Sequence, residues 1–442
     1  MKYALRDKKE MKDTDLTGIN WIPRGWSVLK LKQLTDRPFQ YGLNESAIDN
    51  VDGDPRYIRI TDITTSGSLR KDTVKTMSSE KARGYILQDG DLLFARSGAT
   101  AGKPFMYREF DGVSCFAGYL IRFVPNKDKL FPRFLDFVSQ SAYYESWKNS
   151  IFIQATIQNI SADKYKEFLI PIPSTDDQKR IADFLDEKTV VIDEVVKKKK
   201  KQIELLKEKR DALITQAVTK GLNSNVKMKD SGVEWIGEIP EGWNLVRLRR
   251  VVSLNPSKQE SKHISEDSDV TFLPMTKVSS KGTFDKEVVS KKNDVATGFT
   301  YFRNGDVITA KITPCFENGK GALVNDLVNG IGFGSTEFTV IRPSSSINGT
   351  YLYYLVHSEM FRKSGGPWMY GSAGQQRVPD RFIKEFQAPL PSIEEQEKIV
   401  MQLDRGLNLL DRSIKTIQKS IKLIQEYRSS LISHVVTGKI VV

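Results

Sequence analysis

Two basic residues stand at the ends of predicted strands, directly before loops of small residues. Arg96 is followed by Ser97 and Gly98. Lys311 is followed two positions later by Thr313. Glycine and small hydroxyl residues allow close approach to a phosphate, and an arginine or lysine can donate to O6 and N7 of guanine. Both segments therefore predict contact with nucleic acid, and an ordinary surface turn is the alternative.

Other polar residues are candidates for the same role. Gln158 and Gln376 align with each other, and glutamine can contact adenine, but a scaffold or phosphate contact is favoured for both. Arg59 and Lys277 lie at predicted strand ends, where pairing inside the domain, such as Arg59 with Asp62, is equally plausible. The full set of predicted DNA contacts is Arg59, Arg96, Ser97, Gly98, Lys103, Gln158, Lys277, Lys311, Thr313, Gln376 and Arg377.

Motifs for catalysis and cofactor binding are weak. The segment Ser97–Lys103 lacks the first glycine of a nucleotide-binding loop, and Pro104 replaces its final hydroxyl residue. Asn255-Pro256-Ser257 lacks the second proline and the aromatic residue of an adenine methyltransferase. Two cysteines and three histidines are too scattered for a metal site or a disulfide framework. We therefore expect a non-catalytic chain that has no cofactor or metal of its own.

Length, charge and apolar content limit the class of protein to which this chain can belong. A chain of 442 residues favours two or more domains, and a net charge of +12 favours a polyanionic partner. The first fifteen residues do not resemble a signal peptide, and no apolar run is long enough to cross a bilayer, so we expect a cytoplasmic protein without a membrane partner. The lysine run 197–201 is interpreted as a solvated helix face, with DNA contact as the alternative.

The sequence repeats itself over its whole length, which implies two copies of one large unit. The repeated segments are Met11–Trp26 with Met228–Trp243, Gly90–Arg96 with Gly305–Lys311, and Ile172–Ala182 with Leu390–Val400. In each copy, short β-rich runs and one helical segment, 131–148 or 349–364, precede a long helix. The predicted divisions are 1–20, an N-terminal segment; 21–173, the first globular domain; 174–221, the first long helix; 222–234, a linker; 235–391, the second domain; and 392–442, the second helix with the C-terminus.

The two long helices are predicted from their end signals and from a heptad pattern. Ser174 and Ser392 are candidate N-caps, and Gly221 and Gly438 suit left-handed C-caps. Steps of four and three residues place apolar side chains on one stripe of a helix of about 40 residues, roughly 60 Å long. The predicted helix-packing and partner-docking residues are Leu185, Ile192, Ile203, Leu206, Leu213, Leu403, Leu410, Ile414, Ile417, Ile421, Ile424 and Leu431.

Chain order then favours an architecture. The expected fold is mixed α/β (α+β), with two similar globular domains separated by two long antiparallel coiled-coil helices. Pseudo-two-fold symmetry and a circular organisation follow, because the second helix must return the chain toward its start. Two globular domains that are similar but not identical in sequence suit two half-sites on duplex DNA at a fixed spacing.

These motifs, in this order, resemble the specificity (S) subunit of type I restriction-modification systems. The resemblance rests on Met228–Trp243, Gly90–Gly98 and the paired helix openings, and covers both copies. It implies that the two globular domains are target recognition domains, each of which binds one half of a split, asymmetric site in double-stranded DNA. It also implies docking of two modification (methyltransferase) subunits, which carry S-adenosylmethionine and methylate adenine at N6. Two restriction (motor-nuclease) subunits, with ATP and magnesium, would join the larger complex.

One departure and two alternatives accompany this resemblance. Thr189 and Lys199 occupy interior steps of the first heptad stripe, which weakens the predicted helix pairing. A coiled-coil scaffold whose globules bind protein would show DNA affinity insensitive to salt, whereas a recognition subunit should show a steep negative salt dependence. A self-contained methyltransferase or nuclease would modify or cut DNA without partners.

Overall fold

The structure is a computed structural model that describes residues 3–64, 67–109, 112–152, 158–223, 225–372 and 374–442. The chain divides into two units, unit 1 (Met1–Lys199 with Gln418–Val442) and unit 2 (Lys200–Ile417). Each unit contains β-sheet and α-helix and includes part of both long helices, so the predicted mixed α/β fold is confirmed. No helix in the described ranges is long and apolar enough to cross a membrane.

Unit 1 is built on a four-stranded antiparallel sheet in the order β4-β9-β6-β7. A parallel pair, β5 and β8, and the antiparallel pairs β1 with β2 and β3 with β10 complete its strands. The strands are β1 Met11–Asp13, β2 Trp21–Pro23, β3 Ser27–Lys30, β4 Gln40–Tyr41, β5 Arg56–Ile58, β6 Leu92–Ala95, β7 Pro104–Met106, β8 Ser114–Phe116, β9 Leu120–Phe123 and β10 Leu169–Ile172. Its helices are α1 Ser79–Ala82, α2 Pro132–Val138, α3 Ala142–Phe152, α4 Ala162–Lys166 and the first part of the long helix α5, Thr175–Lys220.

Unit 2 repeats this plan with a larger second sheet. The four-stranded sheet β14-β21-β18-β19 corresponds to the main sheet of unit 1, and β16-β15-β20-β17 contains the parallel pair β15 and β20. The strands are β11 Met228–Asp230, β12 Glu238–Pro240, β13 Asn244–Arg247, β14 Val252–Leu254, β15 Asp269–Leu273, β16 Val289–Lys291, β17 Thr300–Arg303, β18 Val307–Ala310, β19 Gly321–Leu323, β20 Ile331–Gly334, β21 Phe338–Pro343 and β22 Gln387–Leu390. The helices are α6 Lys292–Val295, α7 Gly349–His357, α8 Glu359–Gly365, α9 Asp380–Glu385 and the long helix α10, Ile393–Val436.

The single helical segment predicted late in each globule is two short helices. In unit 1 the break separates α2 from α3, and the Ser141 hydroxyl accepts from the Tyr144 amide at 3.2 Å. In unit 2 the break separates α7 from α8, and the Ser358 hydroxyl accepts from the Phe361 amide at 3.2 Å. The prediction of one helix was wrong because a serine begins a new helix at the same place in both copies.

The ends of the long helices follow the predicted signals. The Ser174 hydroxyl accepts from the Asp177 amide at 3.2 Å, and the Ser392 hydroxyl accepts from the Glu395 amide at 3.3 Å. Beyond the other ends, Gly221 has φ of 74° and Gly438 has φ of 71°. Each helix therefore begins at a serine cap and ends at a left-handed glycine.

A buried glutamine fixes each helix opening to its globule. The amide oxygen of Gln178 accepts from Phe131 N at 2.8 Å, and its amide nitrogen donates to the carbonyls of Lys129 and Pro173. Gln396 makes the same set of bonds, accepting from Asn348 N at 2.8 Å and donating to the carbonyls of Ser346 and Pro391. Both side chains are fully buried. The sequence of the helix opening therefore occurs twice because equivalent residues join each globule to its helix.

The heptad stripe is the protected face of both helices. All the residues predicted to pack there are buried or half-buried, and so are Thr189 and Lys199. Inside unit 2, Arg210 pairs with Asp411 at 2.7 Å, and a Leu213 methyl lies 3.1 Å from the Cβ position of Gly406, so these segments run antiparallel. The Thr189 hydroxyl is accommodated by donation to the Asp186 carbonyl at 3.4 Å. The weaker first stripe therefore still packs.

The first and last described segments of unit 1 pair with each other. The Arg6 amide donates to the Lys439 carbonyl at 2.9 Å, and the Val441 amide donates to the Ala4 carbonyl at 3.1 Å. Just before this ladder, Gly438 lies against Pro23 and Trp26, as Gly221 lies against Trp243 in unit 2. These contacts agree with the predicted circular organisation.

Candidate nucleic-acid interface

In unit 1 the predicted basic segment forms a short antiparallel ladder with a distant part of the chain. The Gly98 amide donates to the Gln158 carbonyl at 3.2 Å, and the Ile160 amide donates to the Arg96 carbonyl at 2.8 Å. Ser97 is bridged to Asn159 between them. The ladder continues β6 beyond the main sheet, and we call residues 96–98 with 158–160 the terminal ladder of unit 1.

Unit 2 has a terminal ladder at the same place, formed by residues 311–313 with 376–378. The Thr313 amide donates to the Gln376 carbonyl at 2.9 Å, and the Gln376 amide donates to the Thr313 hydroxyl at 3.0 Å. The Val378 amide donates to the Lys311 carbonyl at 2.8 Å. The structure thus brings together Arg96, Ser97, Gly98 and Gln158 in one unit and Lys311, Thr313, Gln376 and Arg377 in the other. Gln158 and Gln376 join the ladders through their backbones, which suits the scaffold role favoured for both.

Arg96 presents a charge that no carboxylate neutralises. Its guanidinium lies 5.0 Å from the ring centre of Tyr41, and the described residues contain no acidic group within ion-pair distance of it. The Tyr41 hydroxyl accepts from the Ala162 amide at 3.0 Å, which fixes the ring. An arginine held over an aromatic face is oriented but still free to donate to a ligand.

The corresponding edge of unit 2 has different side chains. Lys311 has no ion pair within the described ranges, and Arg377 is paired with Glu337 through a 2.6 Å bond from Nη2 to Oε1 and a 3.0 Å bond from Nε to Oε2. These hydrogen bonds hold the pKa of Glu337 below its usual value, and the charge of Lys311 adds to the effect. The edge therefore contains two cations and one ionised carboxylate.

Two pairs of positions show how the ladders diverge. The Arg96 amide donates to the Tyr119 carbonyl and the Lys311 amide to the Glu337 carbonyl, both at 2.9 Å. Tyr119 and Glu337 therefore occupy one structural position, as Asn159 and Arg377 occupy another. Sequence reasoning missed Tyr41, Tyr119, Asn159 and Glu337 as neighbours of the basic residues. Their positions depend on strand register, although the alignment of YLIRFVP (Tyr119–Pro125) with EFTVIRP (Glu337–Pro343) could have paired Tyr119 with Glu337.

Two predicted contacts lie in ion pairs within their own units. Arg59 donates through Nε and Nη2 to Asp62 at 2.9 and 2.8 Å, and Asp62 is buried. The burial of Asp62 favours its neutral form, but the bonds from Arg59 and Thr73 outweigh it and lower the pKa of Asp62. Lys277 donates to Asp285 at 2.8 Å on a more exposed surface. The alternative weighed for Arg59 is thus the arrangement present.

Lys103 supports the loop that follows β5. Its ammonium donates to the Ile63 carbonyl at 2.8 Å, and burial lowers its pKa, as does the nearby charge of Arg70. Lys320 in unit 2 donates in the same way to the Met275 carbonyl at 3.2 Å. Because the contact recurs in both units, Lys103 has a role in holding this loop. A DNA contact by Lys103 stays a prediction.

Asn255, which begins the segment compared above with a methyltransferase motif, has structural partners. The Asn255 side chain accepts from Val340 N at 3.0 Å and donates to Asp380 Oδ2 at 2.8 Å, so both of its polar atoms are used. Among the described residues, no group of three or more His, Cys, Asp and Glu side chains could hold a metal ion.

Comparison with known proteins places this geometry in a family. The profile described as type I restriction modification DNA specificity domain matches residues 23–205 and 240–423. The chain belongs to this family. The two matches are the two copies of the repeat, and each includes one terminal ladder's basic segment and the opening of one long helix.

Parts of this chain are similar to named specificity subunits. The EcoAI specificity subunit of Escherichia coli is 42% identical over 174 residues, which are 39% of this chain and 29% of that protein. The EcoEI specificity subunit of Escherichia coli is 38% identical over 37% of this chain and 27% of that protein. The matches to these two relatives thus span less than a third of their length. The MjaVIII specificity subunit of Methanocaldococcus jannaschii is 24% identical over 72% of each chain.

Solved structures share the fold. A chain from a study of complex assembly and conformational transition of the type I restriction-modification system aligns over 95% of this chain and 99% of its own, with a TM-score of 0.69 and 15% identity. The HsdS subunit from Thermoanaerobacter tengcongensis aligns over 96% and 99%, with a TM-score of 0.51 and 14% identity. At these identities the likeness concerns the fold alone.

Proposed function

We propose that this chain is the sequence-specific DNA-recognition subunit of a type I restriction-modification complex. Each unit binds one half of a split, asymmetric site in double-stranded DNA. The observation that carries the proposal is the terminal ladder, which keeps the same backbone bonds in both copies while its side chains differ. A constant backbone gives both units the same approach to a duplex, and different side chains give each unit its own bases.

The charges at the two ladders fit this role. Arg96 and Lys311 stand at the same position, and neither forms an ion pair in the described part of the chain, although the charge of Lys311 acts on Glu337. Such cations can bind phosphates or guanine edges without first breaking an ion pair. The net charge of +12 adds a general attraction for DNA, so affinity should fall steeply as salt rises.

The long helices are proposed to dock two modification subunits, which would supply S-adenosylmethionine and methylate adenine at N6. Two restriction subunits, with ATP and magnesium, would complete the nuclease. The stripe residues are protected, so the exposed apolar side chains on the same helices are better docking candidates. Val191 and Leu409 are 59% and 63% exposed at equivalent positions, as are Leu205 and Leu423 at 52% and 54%. Their recurrence in both helices fits two copies of one partner.

Docking can be tested by changing this exposed face. Val191→Asp with Leu409→Asp should reduce the amount of modification subunit that co-purifies with this chain, because burying a carboxylate at an interface is unfavourable. Asn408→Asp, at an exposed neighbour of Leu409, is the control for charge and should have little effect. Unchanged co-purification of the double variant would place the docking surface elsewhere.

The role in recognition is tested by mapping N6-methyladenine across the host genome with and without this gene. We expect one split motif to lose methylation on deletion. Purified chain that methylates or cuts DNA without partners would contradict a non-catalytic subunit. An unchanged map, together with DNA affinity insensitive to salt and sequence, would favour the scaffold alternative.

A further inference from the structure

The Arg377–Glu337 pair in the terminal ladder of unit 2 leaves one edge of the guanidinium available. Glu337 accepts from Nε and Nη2 of Arg377, which is the side edge of the planar group. Nη1 lies 3.4 Å from the Gln375 carbonyl, a long contact. Because a guanidinium has five N–H donors, Nη1 and the second proton of Nη2 can still form a pair of parallel donors.

The position of Arg377 exposes this edge at the strand end. Its backbone is bridged to Ile312 on one side and to Tyr370 on the other, which fixes where the side chain starts. The Arg377 side chain is 39% exposed, and Tyr370 is 62% exposed beside it. A rigid backbone and a carboxylate at the side edge together give a long, flexible side chain one preferred direction.

Unit 1 has no such pair at the same positions. Tyr119 replaces Glu337 and Asn159 replaces Arg377, and the cation there is Arg96 over the ring of Tyr41. The pair is therefore not needed to build the ladder, which forms in unit 1 without it. Its presence in unit 2 alone points to a role in what that unit binds.

We propose that Arg377 recognises a guanine in the major groove of the half-site bound by unit 2, and that Glu337 is the positioning residue that orients it. This inference rests on the proposed function. Arginine donates two parallel hydrogen bonds to O6 and N7 of guanine, which is the geometry that its free edge offers.

The carboxylate argues for base recognition over a phosphate contact. A phosphate is bound by charge, and a neighbouring carboxylate would weaken that attraction without any gain. A base contact requires direction, and the two bonds from Glu337 supply it while Lys311 keeps the local charge positive. The Arg377–Glu337 pair should therefore lower affinity for random DNA and raise the preference for the correct base.

Base analogues test the proposal on the unaltered protein. The complex is purified from the host through a tag on this chain, and each guanine of its mapped site is replaced in turn by 7-deazaguanine or by inosine. 7-Deazaguanine lacks N7, whereas inosine keeps both N7 and O6. We expect one guanine in the half-site of unit 2 to tolerate inosine, and 7-deazaguanine there to weaken binding roughly five- to 150-fold.

Variants then connect that guanine to the pair. Arg377→Ala should abolish the sensitivity to 7-deazaguanine and broaden the base preference at that one position. Arg381→Ala, at an exposed arginine of the same unit, is the matched control and should preserve both. Glu337→Gln should lower the ratio of specific to non-specific affinity while raising affinity for random DNA, because it removes a negative charge beside the duplex. If Glu337 had only a structural role, Glu337→Gln would not lower the ratio of specific to non-specific affinity while raising affinity for random DNA.

The outcomes separate this inference from the proposed function. If the complex has no split site, the proposed function fails. If the split site exists but its unit 2 half contains no guanine with this sensitivity, or if Arg377→Ala keeps the wild-type sensitivity, the inference is wrong and the proposed function stands. The half belonging to unit 2 is the one retained when residues 21–173 are exchanged for those of a relative.

Discussion

Unit 1 and unit 2 hold their long helices by the same contacts but present different side chains at the same strand end. Gln178 and Gln396 make equivalent hydrogen bonds, and both terminal ladders join the same two parts of the fold. At the ladder itself, Tyr119 in unit 1 occupies the position that Glu337 occupies in unit 2. The difference teaches that buried backbone partners preserve the frame, while exposed positions are free to set specificity.

The largest expected effect tests the shared frame. Gln178→Ala or Gln396→Ala leaves a buried backbone amide and two carbonyls without partners, and each change should lower the free energy of unfolding by about 4 kcal/mol. Urea denaturation measures the loss, and peptide-resolved hydrogen exchange assigns it to one unit. Gln425→Ala and Gln402→Ala, both at exposed positions, should change it little. Clearly unequal losses for Gln178 and Gln396 would break the equivalence of the two units.

A second test sharpens the comparison at the helix ends. A Cβ on Gly438 would lie 2.4 Å from the Pro23 ring, whereas a Cβ on Gly221 would lie 3.1 Å from Trp243. Because both glycines are left-handed and only the first would clash hard, Gly438→Ala should cost about 3 kcal/mol and Gly221→Ala about 1 kcal/mol in thermal or urea unfolding. Gly25→Ala, at an open position, is the control. The opposite order would mean that the two helix ends are packed differently from the structure.

A third test compares a buried and an exposed carboxylate. Asp62→Asn removes the partner of Arg59 and should cost about 2 kcal/mol, whereas Asp285→Asn, on the surface beside Lys277, should cost little. Since folding lowers the pKa of Asp62, its ionised form stabilises the fold above pH 3.8, and that contribution is lost as pH falls through the lowered pKa. Unfolding curves of wild type and Asp62→Asn should therefore converge in acid. Curves that stay separate in strong acid would contradict this assignment.

The smallest expected effect concerns the ion pairs between the long helices. Arg210 pairs with Asp411 in unit 2 at 2.7 Å, and Arg428 pairs with Asp193 in unit 1 at 2.9 Å. Asp411 is less exposed than Asp193, so Asp411→Ala should cost about 0.5 kcal/mol and Asp193→Ala less, both after screening by solvent. Differences that persist in high salt would mean that more than charge is lost.

Much of the frame could be predicted because its signals are local. Serine before an acidic residue, glycine at a helix end and a four-three apolar pattern each act within one or two helical turns, and the helices begin and end where these residues indicate. The split into α2 and α3 was missed because the apolar pattern continues across Ser141, and the serine's capping bond decides the structure there.

The candidate site could be predicted only in part. Arg96 and Lys311 were identified because a strand end followed by small residues is a local signal. Their neighbours Tyr41, Asn159, Glu337 and the ladder itself depend on contacts between residues about 20 to 60 positions apart, which a pattern of residue types does not determine. Docking of a partner on the stripe residues stays a prediction for a related reason. An apolar repeat predicts a packed face but does not say which exposed residues remain beside it.

The central claim is that each unit recognises its own half of one DNA site. The most direct measurement replaces residues 21–173 with the corresponding domain of a relative and maps N6-methyladenine across the host genome by single-molecule sequencing. We predict that one half of the methylated motif changes while the other half and its guanine assigned to Arg377 remain. A map in which both halves change together would contradict independent recognition by the two units.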